Sequence, residues 1–186
     1  VGALRDHPSL IAWYVNDEVF QPDVWQGAVD VFRDTRTVDP WHPTYAVHYD
    51  YQRLGVYREA CDVIGSDPYV LMGDIGVAAR SWRECRTQIG PDQPFWAVVQ
   101  CFGAGYETSN PKDTREPTYD EERAATMAAI AEGATGIIYY CYHSLQRSPR
   151  FEERFAELDR IAGEVQGLMP ILALPQAKRR ARRAVA

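Results

Sequence analysis

No stretch of the 186-residue sequence offers the roughly 18 consecutive apolar residues that cross a bilayer, and its start lacks the basic-then-apolar pattern of a secretory leader. A membrane partner is therefore not expected. Cysteine is scarce: Cys61, Cys85, Cys101 and Cys141 are too few and too scattered for a disulfide framework, and no two form the CxxC pair of a zinc site. Buried free thiols are the expectation. Loops of the GxxxxGK[ST] and GxGxxG types are absent, as is a GxSxG elbow, so no nucleotide cofactor is expected and no other cofactor is called for. Basic residues are outnumbered, and the net charge of -6 argues against a nucleic-acid partner. The sharply basic run Lys178, Arg179, Arg180, Arg182, Arg183 is short and terminal, and residues 175–186 read as a solvated tail.

Apolar residues are plentiful, at 46%, enough for a substantial core. Five short apolar segments recur: Leu10 to Val15, Thr44 to Tyr49, Asp62 to Ser66, Phe95 to Gln100 and Thr135 to Tyr142. Between them lie helix-like or turn-rich stretches, the alternation that builds a parallel α/β sheet. Val24 to Thr37, Tyr119 to Glu132 and Phe151 to Leu168 carry apolar residues at helical spacing. Thr118 and Glu121 have capping-box spacing, Gly133 ends the second of these helices, and Pro170 is expected to stop the last. Gly73 to Gly90 is a helix by position. Gly103 to Pro117 is a long polar loop after the fourth strand, where a lid would sit.

Five βα units fall short of the eight that close a (β/α)8 barrel of about 250 residues. The sequence opens on Val1 rather than Met with a strand soon after, so residues 1–174 read as the C-terminal part of such a barrel with three strands missing at the front. Two open sheet edges would invite self-association. In barrels the chemistry stands at the C-terminal strand ends, which here present Asn16, Asp17 and Glu18; His48, Tyr49 and Asp50; Asp67 and Tyr69; Gln100 and Phe102; and Tyr142 and His143. Carboxylates with aromatic neighbours are what glycoside hydrolysis needs: one acid for the leaving oxygen, a second carboxylate, and ring faces for the sugar.

The segment His7-Pro8-Ser9-Leu10-Ile11-Ala12-Trp13, followed by Tyr14-Val15-Asn16-Asp17-Glu18, resembles the fourth-strand motif of barrel glycosidases such as β-galactosidases and β-glucuronidases. The resemblance implies that Glu18 is the general acid/base. It places Asp17 where the family has an asparagine that binds the sugar 2-hydroxyl, and ionised Asp cannot donate as Asn does. Asn16 could take that part only if the strand end were bulged. The family's strand-seven glutamate nucleophile falls on Gln100, an amide that cannot replace it.

Asp67 is therefore the first alternative for a second carboxylate, ahead of Glu107 and Asp50. A carbohydrate substrate is the expected partner, bound by Asn16, Asp17, His48, Tyr49, Tyr69, Gln100, Tyr142 and His143. The competing readings are a degenerate barrel that binds sugar without cleaving it and a metal-dependent barrel hydrolase using His48, Asp50, Asp67 and His143. Asp67-Pro68-Tyr69 is equally a plain turn. Glu18 could be a loop carboxylate in a salt bridge, and His48 and His143 satisfied structural groups. Trp13, Trp96, Tyr139 and Tyr140 read as core, and Trp41 and Trp82 receive no role.

Overall fold

A computed structural model describes residues 1–19, 22–50, 52–69, 74–103 and 115–174. Glu107, most of the loop 103–117 and the basic run all lie outside them. The strands are β1 (Trp13–Asp17), β2 (Thr44–His48), β3 (Val63–Ser66), β4 (Phe95–Gln100) and β5 (Gly136–Tyr140). The helices are α1 (Pro22–Val38), α2 (Ile75–Ile89), α3 (Tyr119–Ala131), the one-turn α4 (Tyr142–Leu145) and α5 (Phe151–Leu172), with a 3-10 helix at Leu54–Glu59. The strands form one parallel sheet in the order β1-β2-β3-β4-β5, so each unit lies beside the one before it. Among the described residues the sheet is open, with β1 and β5 at its edges.

Alternation along the strands sends successive side chains to opposite faces. Ala46, Ile64, Phe95, Ala97 and Val99 face the helices and pack with Ala78, Trp82, Cys85 and Ile89 of α2 and Ala125 and Ala129 of α3 in the main core. Tyr45, Val47, Val63 and Val98 form a smaller cluster on the other face, with Ala12, Trp96 and Ile138 packed against it. The four cysteines are free and buried. The inner face is tiled with rings laid over glycines. Trp96 lies on Gly136, where a Cβ would stand 2.5 Å from the indole, and Tyr45 lies on Gly65. Gly136→Val is therefore expected to cost about 1–3 kcal/mol through overpacking, read as a lower urea midpoint at unchanged slope.

Most local expectations match. Thr118 and Glu121 form the capping box, and Gly133 adopts φ 95 just past α3. The segment expected between Gly73 and Gly90 is α2, with Asp74 as N-cap accepting from the Gly76 N–H. Pro170 does not stop α5, which runs on to Leu172. The ring removes only the bond to the Gln166 carbonyl, and the ladder resumes when the Ala173 N–H donates to the Met169 carbonyl at 2.9 Å. The strand read as Leu10 to Val15 is displaced to 13–17, because the backbone before Trp13 runs in hydrogen-bonded turns.

Two features of β1 position the site. Its register on β2 slips: Trp13 and Tyr14 face Thr44 and Tyr45, whereas Asn16 and Asp17 face Ala46 and Val47, leaving Val15 as the extra residue of a bulge. Glu18 follows at φ 50, and among the described residues it alone, glycine aside, has positive φ. Its N–H still donates to the Val47 carbonyl at 3.0 Å, which ties this left-handed residue to the sheet.

Candidate functional site

A cleft of about 450 Å³ opens on the inner face at the C-terminal strand ends. All five strands contribute: Tyr14, Asp17 and Glu18 from β1 and its end, Tyr45 and Val47 from β2, Asp67 and Tyr69 after β3, Val98 and Phe102 from β4 and its end, and Ile138 and Tyr140 from β5. A larger hollow, about 800 Å³, lies among Phe32, Arg58, Glu59, Asp62, Asp92 and Gln93. Three of its polar groups make local bonds: Asp62 accepts from the Thr44 N–H and hydroxyl, and Arg58 donates to Gln93. The smaller cleft sets its carboxyl groups among several aromatic rings, whereas Phe32 is the one aromatic ring among the described residues lining the larger hollow.

The bulge makes this grouping possible. Tyr14 and Asp17 are three residues apart and would face opposite sides of a regular strand. With Val15 as an extra residue both turn into the cleft, where the Asp17 carboxylate lies beside the Tyr14 hydroxyl. Two aromatic groups form the walls. Tyr14 stacks on Tyr45 at 5.4 Å between centroids, and Tyr45 tilts against Trp96 at 5.1 Å. Tyr69 stacks on Tyr140 at 5.5 Å, with Phe102 edge-on to both. Tyr14, Tyr69 and Tyr140 keep 57%, 38% and 39% of their surface exposed, so ring faces are open to a ligand.

Asp67 is only 4% exposed, and its Oδ1 is buried with no hydrogen-bond partner. The Tyr69 hydroxyl lies beside the Asp67 carboxyl group and favours its ionised form. Burial pushes the Asp67 carboxyl up to about 7, the Tyr69 hydroxyl opposes this, and the charges of Glu18 and then Asp17 add to it. Lost hydration and then the adjacent Asp17 raise Glu18 above the ordinary carboxylate value as well. Tyr69 is driven far above a normal phenol, first by burial and then by the charge on Asp67. The cleft thus crowds three carboxyl groups, and their mutual repulsion with burial disfavours ionising all of them together.

Of the residues expected to form the site, Glu18, Asp17, Asp67 and Tyr69 meet in the cleft, and the rest do not line it. The bulge exists, yet it turns Asn16 to the helix side, where its amide donates to the Ala28 carbonyl of α1 at 3.4 Å. His48 is buried and stacks on Tyr57 of the 3-10 helix at 3.8 Å, and burial lowers it to about 4. Gln100 is buried, its amide donating to the Phe102 carbonyl at 3.0 Å. Tyr49 is exposed at the end of β2. Tyr142 packs edge-on against Phe151 and Phe155 of α5. His143 lies behind the cleft wall, near Cys141 Sγ and edge-on to Tyr140. Among the described residues no three His, Cys, Asp or Glu side chains are arranged to hold a metal ion, and His48 and Asp67 point to opposite sides of the sheet. Tyr140, expected in the core, is instead a cleft wall.

No protein-family model matches the sequence, and no curated protein matches it. Among solved structures, a β-D-glucuronidase from Dictyoglomus thermophilum is similar in fold, with 17% identity and a TM-score of 0.50 over 74% of this chain. An uncharacterized conserved protein from Geobacillus kaustophilus aligns at 11% identity and TM-score 0.43, over 86% of this chain and 90% of its own. The chain spans 26% of the length of the glucuronidase, and the likeness is one of fold alone: an open run of parallel βα units.

Proposed function

We propose that the cleft is a glycoside-hydrolysing site in which Glu18 and Asp67 are the two working carboxyl groups. The observation that carries this reading is their presence on one aromatic-walled cleft at the C-terminal ends of parallel strands. The residues supply what the reaction needs. Tyr14, Tyr69 and Tyr140 offer faces on which a pyranose ring stacks, one carboxyl group hands a proton to the leaving oxygen, and the other supports charge at the anomeric carbon. Asp17 is a further acceptor for sugar hydroxyls, beside the Tyr14 hydroxyl. The backbone of Glu18 fits the same picture, since left-handed non-glycine residues cluster at functional sites.

Turnover of a panel of aryl glycosides is the test. Glu18→Gln and Asp67→Asn are each expected to lower kcat by about 10²- to 10⁴-fold, the usual worth of a positioned acid or base. Full activity in both variants would remove the reading. Gln100 supports a second reading, sugar binding without cleavage, because the strand end at which the resembling family has its nucleophile carries an amide engaged with the backbone. Calorimetric binding of a glycoside that is never turned over would establish that alternative.

A further inference from the structure

We infer that Asp67 is the proton donor of this cleft, that Tyr69 positions its carboxyl group, and that Glu18 acts as the ionised partner. This rests on the glycosidase reading and reverses the assignment that the β1 motif implies. The Asp67 carboxyl is sunk at the cleft wall with Oδ1 free of any hydrogen bond, and the Tyr69 phenol lies beside it in the same wall. A carboxylate left so would face burial unpaired, whereas a carboxylic acid can direct its O–H from Oδ1 into the cleft. Glu18 stands at the exposed rim, less withdrawn from water than the buried Asp67.

The groups facing Asp67 from each packed element favour the same division. From the end of β1 come Glu18 and Asp17, both acidic; from β2 comes the Tyr45 phenol, and from its own loop Tyr69. Among the described residues no cation lines the cleft to hold Asp67 ionised. Two neighbouring carboxyl groups with environments this different take different protonation states, which is how such pairs divide acid and base work.

The bond from the anomeric carbon to the leaving oxygen breaks, its electron pair stays on that oxygen, and the proton of Asp67 Oδ1 completes the leaving alcohol. Water bonds to the anomeric carbon and its proton passes to Glu18. One water is consumed, Asp67 ends ionised and Glu18 protonated, and exchange with solvent restores both.

Leaving-group dependence separates the roles, because a dinitrophenolate departs without a proton and an alkoxide does not. Asp67→Asn is expected to lose about 10²- to 10⁴-fold on alkyl glycosides while dinitrophenyl glycosides are little affected, and Glu18→Gln to lose activity on both. In the unsubstituted chain carrying ¹³C-labelled aspartate, the Asp67 carboxyl signal, identified by its loss in Asp67→Asn, should titrate near neutrality. Tyr69→Phe, which removes the hydroxyl that favours the ionised form, should shift that titration and the alkaline limb of the pH–rate profile upward. Selective loss on alkyl glycosides in Glu18→Gln instead would overturn the assignment. Titration of Asp67 in the ordinary carboxylate range, about 4, in an active chain would overturn it and leave the glycosidase reading standing. Failure of the unsubstituted chain to cleave any glycoside would end both.

Discussion

Glu122→Met is expected to destabilise the fold by about 3–5 kcal/mol, more than the matching change at its partner, Arg154→Met. Glu122 of α3 and Arg154 of α5 are both fully buried and form an ion pair, with Glu157 as a second acceptor for Arg154. Neither is fully satisfied: Glu122 Oε2 and Arg154 Nε are buried without hydrogen-bond partners. The two halves respond differently because one can shed its charge and the other cannot. A guanidinium stays protonated in any protein, so removing Glu122 strands a buried cation with only Glu157 beside it.

A carboxyl group stranded by Arg154→Met can keep its proton, and burial already pushes Glu122 up to about 8 with Arg154 present. A folded value raised above the unfolded one means that the protonated form favours the fold. That contribution is complete below about 4.3 and is lost as pH rises through the folded value. Removing Arg154 takes away the one group that lowers it by its charge, so the deficit of Arg154→Met should be larger at pH 8 than at pH 5, whereas Glu122→Met removes the titrating group itself and its deficit should shrink over the same range. Urea unfolding of both variants at the two pH values checks this, and the double variant should recover most of the loss.

Glu18→Gly should separate stability from activity. An L residue in the left-handed region costs about 1–2 kcal/mol, which glycine does not incur, although glycine also gains freedom in the unfolded chain. Glu18 moreover brings its charge beside Asp17 and Asp67, which the substitution removes. A net gain of about 1 kcal/mol is expected in urea unfolding, together with a loss of about 10²- to 10⁴-fold in glycoside turnover. A stability loss would mean that the Glu18 side chain holds the strand end together.

The strands and helices were legible because their signals are local. The β-branched and aromatic run Phe95–Gln100 is β4 from end to end, and the capping box at Thr118 sits where its two residues place it. Glu18 and Asp67 were legible as strand-end carboxylates. Partners that depend on backbone phase were not. Tyr14 enters the cleft and Asn16 leaves it because of an inserted residue that apolar patterning does not reveal. Tyr139 and Tyr140 carried a usable signal, since neighbours in a strand face opposite sides and one of them had to leave the core. His48 was misplaced for that same reason: Val47 takes the inner face, leaving the imidazole to Tyr57. Pro170 misled because a single lost bond near a helix end is tolerated.

The bulge at Val15 also bears on how changes in chain length would act on this protein. Deleting one residue between Tyr14 and Asn16 would keep the Asn-Asp-Glu triplet intact as letters while exchanging the faces of everything before it relative to everything after. The identity of the cleft is thus stored partly as a count of peptide units. A relative shortened by one position there could keep every chemically active letter and still present a different surface to its ligand.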